Sequence, residues 1–219
     1  MRRNFLFLLL LIMPISIIFA QINTSSTDVQ SLKRCYKSVC DSRSIEAKEK
    51  YFDIFPSTFS EFKDVFGYEE TNSDIIFGEL YEESLGYITE FFSLNEVINL
   101  YDFSNKIIGL CINGEWQADG VNYLKANVIN IVTSNANHDC YEYHFNLFKC
   151  YNDALRDTLL SCLAQYSEDE ILSFWHFYLD GVANVPIDEE LYNRTEYMVQ
   201  GYPVLHEQLK QAYSISKRG

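Results

Sequence analysis

Apolar side chains recur along this chain at intervals of three and four residues, and no stretch keeps a persistent alternation of period two. That pattern predicts helices rather than strands. The best-marked helix spans Ser167 to Gly181. Ser167 and Glu170 have capping-box spacing, in which each side chain satisfies an orphan N–H of the first turn. Gly181 stands where a left-handed cap would end the helix. Between them Ile171, Leu172, Phe174, Trp175, Phe177, Tyr178 and Leu179 cover most of the circumference. A helix that is apolar nearly all round is surrounded by other elements.

Similar marks divide the rest of the chain. Ser44 can cap a helix from Ile45 to Phe55, with Ile45, Phe52 and Phe55 inward and Pro56 as its stop. Thr58 and Glu61 repeat the capping box before Phe59, Phe62, Val65 and Phe66, and Gly67 closes that helix. Residues 69–77 read as a connection. Leu80, Ser84, Tyr87, Ile88 and Phe91 form the next stripe, on a helix opening near Gly78; Gly86 inside it calls for a close neighbour. Ser93 with Glu96 predicts a short helix to Tyr101, and Ser104 another through Ile107, Ile108, Cys111 and Ile112, stopped by Asn113-Gly114. Val121, Leu124, Val128, Ile131 and Val132 carry a helix to Thr133, and 141–165 reads as the longest one. Asp188, Glu189 and Glu190 suit a helix N-terminus, and Pro203 the first turn of the last helix. The expected fold is all-α: one multi-helical domain over residues 45–216, of about seven to nine helices around a central apolar helix at 171–180.

The N-terminus changes the compartment. Arg2 and Arg3 precede an almost unbroken apolar run from Phe5 to Phe19, and Ala20 offers a small residue before Gln21. Residues 1–20 therefore read as a cleaved signal peptide, and 21–44 as a polar, extended N-terminal arm. No later stretch is long and apolar enough to cross a bilayer, so export to a periplasmic or extracellular space is expected. Cleavage removes two arginines from the 17 basic residues and none from the 31 acidic ones, moving the net charge from −14 to −16. That field repels phosphate backbones and disfavours nucleic acid. It suits a basic protein partner or divalent cations.

Export also gives the cysteines meaning. The six are Cys35, Cys40, Cys111, Cys140, Cys150 and Cys162, an even set that suggests disulfides. If 141–165 is one helix, Cys150 and Cys162 stand roughly 18 Å apart, against the about 4.4–6.8 Å that a bridge tolerates. Cys140, Cys150 and Cys162 would then pair with Cys35, Cys40 and Cys111, stapling the arm to the long helix. Local Cys35–Cys40 pairing, or buried thiols at Cys111 and Cys162, are the competing readings.

Candidate chemistry is sparse. No G-x-S-x-G elbow and no phosphate-cradling glycine loop is present, and nothing calls for a cofactor. His138, Asp139, Cys140, Glu142 and His144 lie close together without a standard zinc spacing, so they read as a polar helix start and no metal is expected. His176 reads as a packed core histidine, with Asp180 one turn away as its only argument for base catalysis; His206 reads as surface. The loop 113–120 projects Glu115, Trp116 and Asp119, an aromatic flanked by carboxylates that suits a cation or a sugar. Asp119 could equally cap the next helix and Trp116 fold back on Val121 or Leu124. This loop, together with the Asp180–Pro186 loop, is the candidate binding surface. The expected function is that of a non-enzymatic, acidic, inhibitor-type (immunity-like) exported protein that covers a basic partner. The alternative is a small secreted hydrolase or saccharide-binding protein using Glu115, Trp116 and Asp119.

Overall fold

The structure is a computed structural model that describes residues 28–115, 119–133, 151–180 and 189–217. Its helices are α1 (Val29–Ser42), α2 (Ile45–Ile54), α3 (Phe59–Phe66), α4 (Ser84–Ser93), α5 (Leu100–Cys111), α6 (Gly120–Thr133), α7 (Asp153–Leu163), α8 (Glu168–Leu179), α9 (Glu189–Val199) and α10 (Pro203–Ser216). A two-stranded antiparallel hairpin, β1 (Tyr68–Glu70) and β2 (Ile75–Phe77), separates α3 from α4. Among the described residues the fold is all-α apart from this hairpin.

Local chemistry sets many of the ends. Both expected capping boxes form: Thr58 with Glu61 on α3, and Ser167 with Glu170 on α8. Ser44 caps α2, and Pro203 sits in the first turn of α10. The α8 backbone ends at Asp180 in an extended conformation; Gly181 lies outside the described residues.

Four expectations are corrected. Ten α-helices are present among the described residues, not seven to nine. The additional one is α1, which replaces the extended arm from Val29 onward. Asp28 accepts the Gln30 N–H to start it, and Leu32 and Val39 are buried with Cys35 and Tyr36 packed alongside. Of the inward residues expected for α2, Phe52 packs on the core and Phe55, at the C-cap, is buried, but Ile45 is exposed; Ala47 and Tyr51 are buried instead, because α1 covers that side. Ser93 turns its hydroxyl back to the Glu90 carbonyl at 2.7 Å and opens no capping box. A single 3₁₀ turn, Leu94–Glu96, follows, and Asn99 caps α5 through the N–H groups of Tyr101 and Asp102. Ser104 is buried inside α5. Finally, the helix expected over 141–165 does not run through Asn152, which is extended (φ −77°, ψ 157°) and caps α7 by accepting the Leu155 N–H. Without one helix through that point, the expected separation of Cys150 from Cys162 loses its basis.

The core is aromatic. Phe55 stacks on Phe91 with ring centres 4.1 Å apart, and Phe91 on Phe103 at 5.2 Å, so α2, α4 and α5 share one stack. Offset and edge contacts of this kind add to the area that each ring buries. The predicted central helix α8 is buried at Ile171, Phe174, Trp175, Phe177, Tyr178 and Leu179, and it packs chiefly on α10 and also on α5 and α6. The most enclosed helix is α6: all its residues except Asn122 and Tyr123 are buried. It carries polar groups inside. Asn127 donates to the Tyr123 carbonyl and accepts from the Tyr151 hydroxyl at 2.5 Å. The Lys125 ammonium, by contrast, has no hydrogen-bond partner among the described residues.

Gly78 leaves the hairpin where β2 passes α3. A Cβ there would lie 2.4 Å from the Val65 carbonyl oxygen, which accepts the Leu80 N–H at 3.0 Å. Only glycine permits this approach, and it holds the hairpin against the end of α3.

Candidate functional site

The predicted loop is pinned at both described ends by left-handed residues, Asn113 (φ 58°) and Asp119 (φ 49°). Asparagine and aspartate tolerate that region better than other non-glycine residues. The Asn113 N–H donates to Ser173 Oγ at 2.8 Å, tying the loop to α8. Gly114 lies on the Phe177 ring, where a Cβ would come within 2.5 Å of it. Trp116 lies outside the described residues.

The two loop carboxylates reach in the other direction, toward α3 and the hairpin. Glu115 is exposed and pairs with Lys63 of α3 at 2.8 Å. Asp119 is half-buried and faces the Tyr81 phenol. Burial first, and then that hydrogen-bonding contact, push the phenol up to about 12. Its main-chain oxygen accepts the Tyr123 N–H, so Asp119 also opens α6 through its backbone. Tyr81 in turn lies 4.6 Å from Phe77, which lies 6.2 Å from Tyr68. The loop and the hairpin therefore form one continuous face.

Asp180 does not join them. It is exposed at the end of α8, its N–H donates to the His176 carbonyl at 2.8 Å, and its charge acts on Lys125. His176 is half-buried rather than fully packed. His206 is also half-buried, 3.1 Å from Glu196. The 138–144 cluster lies outside the described residues, among which no three His, Cys, Asp or Glu side chains gather as metal ligands. Cys35, Cys40, Cys111 and Cys162 are thiols, no two of them joined; Cys140 and Cys150 lie outside. Burial pushes the Cys111 thiol far up. No described helix is long and apolar enough to cross a membrane.

What the sequence pattern did not announce is the hairpin itself. Ile75, Ile76 and Phe77 are each at least half exposed, at 50, 57 and 54 %. Around them the charge is mainly negative: Lys63 shares their concavity, but its ammonium is held by Glu115. Between Lys63 and Lys106 the chain has ten carboxylates and no lysine or arginine. Glu69, Glu70 and Asp74 are exposed, and no described cation pairs with them, whereas Glu79 is held by Lys33 at 2.7 Å. Turn residues at 71–74 followed by Ile-Ile-Phe were the available signal for a strand. An apolar triplet ringed by carboxylates can hold a surface that is both greasy and basic, through area burial and charge together.

No family model, curated protein or solved structure matches the chain.

Proposed function

We propose that this chain is exported and acts as a non-enzymatic acidic binding protein of the inhibitor or immunity type, covering a basic protein partner with the hairpin-and-loop face. The observation that carries this reading is the exposed Ile75-Ile76-Phe77 triplet inside a stretch that has carboxylates and no cation. An exposed apolar patch rimmed by charge is the usual mark of an interaction surface. The alternative, a small secreted hydrolase or saccharide-binding protein, needs Glu115 and Asp119 for its ligand. Those two groups are occupied by Lys63 and Tyr81, so the binding reading is preferred.

The test is capture by the immobilised chain from the exported fraction of its own cells. A basic protein, identified by mass, should be retained at about 0.1 M salt and released at about 1 M, as the Debye length falls from about 10 Å to about 3 Å. Retention should also fall in a Glu69→Lys, Glu70→Lys variant. Retention of only neutral saccharide, indifferent to salt, would overturn the reading.

A further inference from the structure

Among the described residues, the hairpin's hydrogen-bond register leaves the outer edge of β2 open. The Gly78 N–H donates to Gly67 O at 2.9 Å, and the Thr71 N–H to Asp74 O at 2.8 Å. These are the bonded pairs at the two ends of a ladder in which Tyr68 faces Phe77, Glu69 faces Ile76 and Glu70 faces Ile75. Bonded and non-bonded pairs alternate along an antiparallel ladder. Glu69–Ile76 is therefore the bonded pair between them. The N–H and C=O of Ile75 and of Phe77 then point away from β1, and no described residue hydrogen-bonds them. Natural proteins blunt such an edge with lysine, proline, a bulge or a covering element. Among the described residues β2 has none of these, and its three-residue length is its one protection: it is Ile-Ile-Phe, exposed throughout.

We infer that the outer edge of β2 is a strand-docking site for an extended, basic segment of the partner. Two N–H donors and two C=O acceptors of Ile75 and Phe77 supply main-chain bonds, as in recognition by strand addition. Side chains alternate across the added strand. Those beside Ile75 and Phe77 are apolar. Those on the opposite face, toward Ile76, Glu69 and Asp64, are lysine or arginine; Lys63 lines the same shallow concavity, but its charge is taken up by Glu115 at 2.8 Å. Charge excludes a second copy of this chain as occupant. Edge-to-edge pairing would set Glu69, Glu70 and Asp74 against a like-charged twin, on a molecule already at net −14. This inference rests on the proposed function and specifies how that face makes contact.

The probe is a synthetic nonapeptide of alternating lysine and valine, used beside the same peptide N-methylated at alternate amides. Amide hydrogen exchange of the full chain should show Ile75 and Phe77 protected roughly tenfold by the first peptide and not by the second. An Ile75→Pro variant should bind the first peptide roughly tenfold more weakly. Its urea midpoint should hold, because the lost N–H is not in the ladder. If both peptides bind alike without protecting those amides, contact is through side chains only and the edge assignment falls while the acidic-binder reading stands. The edge assignment falls in the same way if neither peptide binds but a basic protein is still captured in a salt-sensitive manner. Failure of both experiments removes both readings. Self-association in sedimentation that Ile75→Pro abolishes would make the occupant a second copy and overturn the inference.

Discussion

The Lys125 ammonium lies 5.9 Å from the centre of the Phe177 ring, 1 % exposed and without a hydrogen-bond acceptor among the described residues. An amine so placed is costly to charge. Burial lowers its pKa from 10.5 to about 8, against the pull of Asp180 and Cys111. The unfolded chain therefore binds more protons than the folded one between about pH 8 and 10.5, and stability rises with pH across that window. From about pH 7.5 to about pH 9.5 this one amine should add about 2 kcal/mol. Lys106, lowered to about 8 mainly by burial, acts with the same sign. Lys125→Met should raise the urea midpoint near pH 7.5 and remove about half of the rise toward pH 9.5, measured by urea unfolding at both pH values. An unchanged pH profile in that variant would contradict the assignment.

Lys106, which is half-buried, is the opposite case. Its ammonium donates to the carbonyls of Phe52 and Phe55, with Asp53 at 3.4 Å, and lies 4.5 Å over the Phe52 ring. It closes the C-terminal end of α2, where orphan carbonyls need donors. Lys106→Met should therefore destabilise, by about 2–3 kcal/mol, since buried acceptors lose a charged donor. Thermal melts of the two methionine variants side by side should shift in opposite directions.

Two glycines inside helices should respond differently to alanine. At Gly109 of α5 a Cβ would lie 2.4 Å from the Ser57 carbonyl oxygen, a rigid backbone atom beside α3. Gly109→Ala should cost about 1–3 kcal/mol from overpacking. At Gly86 of α4 the obstacle is the Tyr36 hydroxyl at 2.8 Å, the far end of a side chain. There the gain in helix propensity, about 1 kcal/mol, offsets the displacement, and Gly86→Ala should stay within about 1 kcal/mol of the parent. Chemical denaturation of both variants checks the contrast.

The two capping boxes give a local control. Thr58→Ala and Ser167→Ala each remove the side chain that accepts an N–H at the third helical position, from Glu61 and Glu170. Each should cost about 1 kcal/mol. α3 touches α8 through Phe59 and Phe177, but Ser167 lies roughly 15 Å along α8 from Phe177 and the caps share no atom, so the double variant should lose the sum, measured by urea unfolding.

The sequence by itself determined the helices whose marks are local. Thr58 with Glu61, Ser167 with Glu170, Ser44, Pro203 and Gly67 all act within four residues, and short-range hydrogen bonding decides such ends wherever the chain finally packs. It determined the α3 and α8 core faces too, since a helical period fixes which side chains share a side. It did not show α1, whose buried stripe is Leu32 and Val39 amid polar neighbours, nor a hairpin of three-residue strands, too short for alternation to register. Only the tertiary structure decided that Glu115 meets Lys63, 52 residues away, and that Asp119 meets Tyr81. It also turned Ile45 out and enclosed α6 more fully than α8. The physical reason is the same each time: a cap is satisfied by its own turn, whereas burial and charge pairing depend on which distant surface arrives opposite.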